Sequence, residues 1–167
     1  MIAYALLIAA VAVERIAELV VSQRNLSWSR ARGGVEFGAR HYPPMVVLHT
    51  GLLAGCLVEA AYRPFLPALG WPMLAVALAA QGLRWWCIAT LGHQWNTRVV
   101  VIPDAARVTG GPYRFFSHPN YVAVVVEGIA LPLVHTAWVT AVLFTVLNAA
   151  LLRTRIGVEN SALARLR

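Results

Sequence analysis

Four stretches of this chain, Ile2 to Val21, Pro43 to Tyr62, Leu69 to about Leu91 and Tyr121 to Leu152, are long and dominated by apolar residues. A helix needs about 20 such residues to cross a bilayer core. Inside lipid, every backbone polar group must be satisfied within the spanning element itself, which leaves helices as the economical solution for runs of this kind. The stretches therefore dictate an all-α integral membrane protein, one domain over 1–167. Composition agrees: hydrophobic residues make up 59% of the 167 residues and charged ones 13%, against about 25% charged in a soluble domain. The N-terminus reads as a first span rather than a cleaved leader, because it lacks a basic start and Glu14, Arg15 and Glu18 interrupt it.

The last run is too long for one span and tight for two. Its break at "LPLVHTAW" predicts a hairpin of two short helices, which brings the count to five spans. Pro43 and Pro44 suit the first turn of the second helix, and Arg63, Pro64 and Pro67 mark the turn that follows it. The tail, Arg153 to Arg167, reads as a basic helix that starts at the membrane surface. The net charge of +7 comes from 14 arginines without a single lysine. They gather in the 24–41 loop, the 92–119 segment and the tail. The excess of positive charge in cytoplasmic loops then puts the N-terminus outside and the C-terminus in the cytoplasm. Arginines at headgroups, rather than nucleic acid, account for the charge. Cys56 and Cys87 sit apart in apolar segments, which implies neither a disulfide framework nor a metal site.

Ionisable groups inside a bilayer face a cavity or a partner because exposure to lipid costs about 2.5–3.5 kcal/mol each. Glu14 and Glu18 share a helix face and Arg15 reaches Glu18 one turn on. That pattern fits either a self-compensating group snorkelling to the interface or the wall of a substrate cavity. His49 reads as a core histidine, Glu59 as solvated near the outer end, and Trp85, Trp86 and Trp95 as an interfacial belt. Glu127 lies about two turns into the fourth helix, too deep to snorkel, and so calls for a partner or a role.

The segment "GGPYRFFSHPNY", 110–121, stands directly before an apolar run. Gly110 and Gly111 permit turns closed to other residues, Pro112 fixes the next φ, and Pro119 suits the first turn of the fourth helix. His118 is biased away from helix by the proline after it. Imidazole and helix N-terminus together favour an anion. No metal-ligand spacing occurs here.

At these residues the chain resembles the isoprenylcysteine carboxyl methyltransferase family of integral membrane enzymes. "GPYRFFSHPNY" is similar to its G-P-Y-R-x-x-R-H-P-x-Y signature, and "RIGVENSAL", 155–163, to its R-I-x-x-E-E-x-x-L tail motif. "ERIAELVVSQRN", "GGVEFGARHYP" and "LRWWCIATLGHQWNTRVVVIP" are similar to the small bacterial branch that accompanies type III polyketide synthases, so the likeness covers nearly the whole chain. The resemblance implies S-adenosylmethionine-dependent O-methylation in a bacterial cell membrane, with the cofactor at the cytoplasmic face, bound within 92–167, and a lipid-like acceptor entering from the bilayer. It implies that Tyr113, Arg114, His118, Pro119, Tyr121 and Glu159 line the cofactor pocket, and that the catalytic candidates Glu127 and Arg155 lie nearer the transfer centre. An alkylpyrone or alkylresorcinol hydroxyl is the favoured acceptor and a prenylcysteine carboxylate the next. A hydroxyl acceptor would be helped by a base, for which Glu127 and His118 are candidates. Ser117 and Asn160 depart from the pattern, standing where the family has arginine and a second glutamate. Two other readings compete: an NADPH-dependent, steroid-reductase-like enzyme, which shares an H-P-x-Y ending, and a non-enzymatic scaffold or transport component.

Overall fold

The computed structural model describes residues 1–103 and 105–165. Five helices carry it: α1 (Ile2–Arg30), α2 (Tyr42–Ala60), α3 (Pro67–Leu91), α4 (Pro119–Leu133) and α5 (Trp138–Arg165). Three helices are long and apolar enough to cross a membrane, over Ala39–Ala60, Pro67–Gln94 and Trp138–Ala164. Exposed side chains such as Val47, Val58, Leu78, Val142 and Val146 cover their outer faces, as expected of surfaces turned to lipid rather than water.

Proline punctuation behaves as its chemistry requires. Pro43 and Pro44 stand in the first turn of α2, Pro67 starts α3 and Pro119 starts α4, positions where the missing N–H leaves no hydrogen bond unmade. The break after α4 is a turn through Val134–Ala137, in which Thr136 takes a left-handed φ of 57°. The Thr136 hydroxyl donates to the Pro64 carbonyl at 2.6 Å, tying this turn to the one between α2 and α3.

Three expectations are corrected. The first helix does not stop at Val21 but runs through the anticipated polar loop to Arg30. Its polar extension is buried against the 92–97 segment: Asn25 donates to the carbonyls of Gly92 and Trp95, and Ser22 bonds Asn96 and Thr97. Second, α5 is not a short hairpin arm followed by a separate tail; one helix of 28 residues carries the apolar run into the arginine-bearing tail, whose last two residues lie outside those described. Third, Glu59 is not simply solvated. It accepts the backbone N–H groups of Val139 and Thr140 at 3.0 and 2.8 Å, capping the otherwise unpaired start of α5.

The loops also pair. β1 (Val35–Phe37) runs antiparallel to β2 (Val99–Val101), and Glu36 on β1 accepts Arg98 at 2.7 Å and Arg30 at 3.3 Å. This small ribbon was not foreseen. The core lies between α1, α2, α4 and α5, around Tyr4, Ile8, Leu52, Cys56, Leu131 and Phe144. Gly128 lets α4 and α5 close up, since a Cβ there would collide with the Phe144 ring.

Candidate functional site

Between the helices lies a cavity of about 430 Å³, within the range of small-molecule sites. One end is polar and is built where α4 begins and α5 ends. The 3-10 turn Gly111–Arg114 leads into it, and Gly111 needs to be glycine on two counts: its φ is 54° and a Cβ would strike Thr90. His118 then precedes α4 in a non-helical conformation, so its imidazole sits beside the helix start.

The tail comes to meet this point. The Tyr121 hydroxyl donates to Glu159 Oε2 at 2.6 Å, and His118 Nδ1 lies 3.6 Å from Glu159 Oε1. The His118 and Tyr121 rings stack at 5.5 Å, with the Arg155 guanidinium 5.9 Å from the Tyr121 ring centre. Arg155 is buried; its Nη2 donates to the Thr97 carbonyl at 2.8 Å, and its Nη1 points at Met45 Sδ. Residues distant in sequence, Met45, Thr97, Tyr121 and Arg155, are thus drawn to one place by the tail helix.

The Glu159 carboxylate beside the imidazole holds the His118 pKa above its ordinary value, against the opposing effect of burial; a smaller contribution comes from Asn160. A raised folded value means that the His118–Glu159 contact contributes most below the unfolded pKa, about 6.5, and is lost as pH rises through the folded one. We expect the His118 ring protons in an NMR titration to shift at a pH above 6.5, and Glu159→Gln to bring the midpoint down. An unchanged midpoint would show that the pair is not formed.

The same cavity is lined by the apolar side chains of Ile16, Leu19, Val46 and Leu53 and by Arg15, Glu18, His49 and Arg84. These charges belong to a network joining three helices. Arg84 on α3 pairs with Glu127 on α4 and lies 3.7 Å from Glu18 on α1. Arg15 bonds Glu18 at 2.9 Å and Gln81 at 2.8 Å, and Gln81 in turn bonds Glu14 at 2.6 Å and Glu127 at 3.2 Å. Of the two sequence readings of the α1 charges, the snorkelling surface cluster is ruled out because the partners come from α3 and α4, and the cavity-wall reading fits Arg15 and Glu18, which line the cavity.

Of the residues singled out from sequence, Tyr113, His118, Tyr121, Arg155 and Glu159 line the cavity together. Arg114 does not; it is exposed, with its guanidinium over the Phe115 ring. Pro119 is fully buried and starts α4. Glu127 sits outside the cavity lining and borders a separate cleft with Glu14, Gln81 and Trp85. Ser117 is exposed. Trp95 is no belt residue: it is 2% exposed and lines the cavity, while Trp85 and Trp86 remain half-exposed. Among the described residues, no group of three or more His, Cys, Asp or Glu is placed to hold a metal ion.

Sequence reasoning missed Asn148 as a cavity residue, whereas the cavity-wall alternative for the α1 charges matches the place of Arg15 and Glu18 in the lining. Only the rarity of polar groups within apolar helices could have flagged Asn148. Seven residues lining the cavity carry a buried polar atom with no hydrogen-bond partner within the protein: Arg15 Nε, Glu18 Oε1, Arg84 Nε, Trp95 Nε1, Asn120 Oδ1, Asn148 Oδ1 and Arg155 Nε. Buried polar groups are nearly always satisfied, so these unpaired atoms set the cavity lining apart from an ordinary helical core.

Fold and cavity together define a helical membrane protein with a chamber between its helices. A family model described as the isoprenylcysteine carboxyl methyltransferase family matches residues 73–165. The chain belongs to that family of membrane methyltransferases, and the matched region runs from within α3 through the H-P-x-Y helix start to the tail. It is similar to the uncharacterized protein YpbQ of Bacillus subtilis (38% identical, covering 95% of each chain) and, more distantly, to an uncharacterized protein of Haemophilus influenzae (23% identical, covering 91% of this chain and 90% of the other).

Proposed function

We propose that this protein is an S-adenosylmethionine-dependent O-methyltransferase acting on a lipid-like acceptor that enters from the bilayer. The observation that carries the reading is the continuity of the chamber: the His118–Tyr121–Glu159 cluster and the apolar wall of Ile16, Leu19, Val46 and Leu53 border one cavity. Methyl transfer between a polar cofactor and an apolar acceptor needs such a chamber, because positioning two partners in line supplies most of the rate.

The residues present fit the cofactor. Bound S-adenosylmethionine supplies a methyl group on a sulfonium centre. Protonated His118 offers an N–H to a carboxylate, and Glu159 offers acceptor oxygens to an ammonium or to hydroxyls. Tyr113 and Tyr121 offer aromatic faces. Burial holds the Tyr113 phenol above its usual pKa, so it stays protonated and can donate. Around the acceptor, the apolar wall excludes water and accommodates an alkyl chain. The favoured acceptor is a phenolic or enolic hydroxyl on an alkylated ring, such as an alkylresorcinol or alkylpyrone, with a prenylcysteine carboxylate next.

All five helices are embedded in this reading, with the N-terminus outside and the cofactor end of the chamber in the cytoplasm. The arginine-bearing 92–119 segment and tail support that orientation, and relatives in two bacteria support a bacterial cell membrane.

Calorimetry on the detergent-purified protein tests the reading. S-adenosylmethionine should bind, NADPH should not, and His118→Ala and Glu159→Ala should each weaken binding about tenfold or more, or roughly 1.4 kcal/mol. Absence of S-adenosylmethionine binding, or full affinity in both variants, overturns it.

A further inference from the structure

We propose that His49 on α2 takes the proton of the acceptor's hydroxyl through its Nε2. This deepens the methyltransferase reading and rests on it. One face of α2 borders the chamber through Met45, Val46, His49, Thr50 and Leu53, positions that recur at the helical repeat. His49 is the titratable member of that face. Its ring is held from two sides: Nδ1 lies 2.9 Å from the Met45 carbonyl, and the Phe144 ring of α5 stands perpendicular to it with centres 5.3 Å apart. A carbonyl oxygen only accepts, so the hydrogen of the neutral imidazole stands on Nδ1 and Nε2 carries the lone pair. Among the described residues nothing bonds Nε2, and unlike Glu18 Oε1 it is not sealed by its neighbours. An oriented ring with a bare nitrogen on the chamber face is placed to receive a hydroxyl proton.

Its place along α2 suits the role. Met45 Sδ lies 3.2 Å from Arg155 Nη1, and Arg155 neighbours the Tyr121 ring. His49 is thus one helical turn, about 5.4 Å along the axis, from the residue that joins α2 to the polar cluster. The other candidate bases are engaged elsewhere: His118 lies against Glu159, and Glu127 pairs with Arg84 and borders the separate cleft. The charged groups acting on His49 are Arg15 on α1, Arg84 on α3 and Glu127 on α4, with Arg155 on α5 beyond Met45. None of them bonds the ring, so Nε2 is left to the acceptor. In the reaction, the hydroxyl oxygen forms its bond to the methyl carbon as the carbon–sulfur bond breaks and that pair returns to sulfur. The hydroxyl proton passes to His49 Nε2 and leaves to water after the product departs. The imidazole gains a positive charge as one is lost from sulfur. The chamber, whose lining already sets Arg15, Arg84, Arg98 and Arg155 against Glu18 and Glu159, therefore takes on no net charge.

The test uses 5-pentadecylresorcinol as the probe, with N-acetyl-S-farnesylcysteine as the anionic comparison. In the unaltered protein, nitrogen NMR shifts of the His49 ring should show the hydrogen on Nδ1 and a bare Nε2, and adding the resorcinol should move the Nε2 signal. His49→Ala should cut methylation of the resorcinol about 100-fold or more, the usual contribution of a general base, while leaving S-adenosylmethionine affinity within about twofold. Free imidazole should restore part of that rate. Turnover of the variant should also climb with pH as the resorcinol ionises unaided. A ring that served packing alone would produce neither effect. A hydrogen on Nε2 with Nδ1 bare, an Nε2 signal indifferent to the resorcinol, His49→Ala turnover within about threefold, or a variant rate unmoved by imidazole and by pH each overturns the proposal. So does methylation of the farnesylcysteine with none of the resorcinol, because a carboxylate needs no base. The NMR measurement needs no variant and so decides even where a substitution disrupts folding. Failure of S-adenosylmethionine to bind would instead overturn the underlying reading.

Discussion

Arg84→Leu should destabilise the folded protein by about 3–5 kcal/mol, the usual cost of removing one partner from a buried ion pair. Arg84 is 4% exposed and Glu127 5% exposed, and the two pair directly between α3 and α4, the helices in closest mutual contact. Without Arg84, Glu127 keeps only Gln81 at 3.2 Å and Arg15 at 3.7 Å. Neither replaces a direct ion pair for a carboxylate that is only 5% exposed. The penalty is the stranded charge more than the lost attraction, so Arg84→Leu combined with Glu127→Leu should recover a large part of it. The surface pair supplies the contrast: Arg63 is 45% exposed and lies 3.5 Å from Glu59, and Arg63→Ala should cost no more than about 1 kcal/mol. Denaturant unfolding in detergent, followed by circular dichroism, reads all three. Equal losses for Arg84→Leu and Arg63→Ala would remove the network from any account of stability. A double substitution no better than Arg84→Leu alone would show that Glu127 is not the stranded group.

That network also shows where sequence reasoning stops. The start of α2 at Tyr42, the start of α4 at Pro119 and the break after Leu133 were legible because proline acts locally, through its own ring and missing N–H. The meeting of His118 with Glu159 was anticipated only through resemblance; no local rule joins two residues 41 positions apart. What failed were judgements about polar residues in apolar surroundings. Ser22 and Asn25 looked like the end of a span, yet they extend α1 because Gly92, Trp95, Asn96 and Thr97 satisfy them. Glu59 looked solvated, yet it caps a helix 80 residues away. In each case the partner that makes the burial affordable comes from a segment distant in sequence, and a single sequence carries no record of that pairing. Arg114 illustrates the opposite limit: it matches a motif position, but its side chain turns to the Phe115 ring at the surface.

Arg155→Lys should lower methyl-transfer turnover about 100-fold, nearly as much as Arg155→Ala, while the protein remains folded. The guanidinium serves two neighbours at once. Its Nη2 donates to the Thr97 carbonyl, its Nη1 points at Met45 Sδ, and its Nε stays free beside the chamber. A planar fork spans such an arrangement; the point charge of lysine does not, although it preserves the net charge. If charge alone mattered, lysine would restore activity, so the two substitutions separate geometry from electrostatics. The Thr97 contact makes the effect specific. It fixes α5 to the strand-bearing 96–101 segment, which in turn holds the end of α1 through Asn96 and Ser22. Loosening it should displace the tail, and with it Glu159, from His118, so the His118 NMR midpoint should fall toward 6.5 in both variants. Turnover of Arg155→Lys within about fivefold of the unaltered protein, with an unmoved His118 midpoint, would mean that Arg155 acts only as a charge. The tail motif and the H-P-x-Y helix start would then be coupled through Glu159 alone.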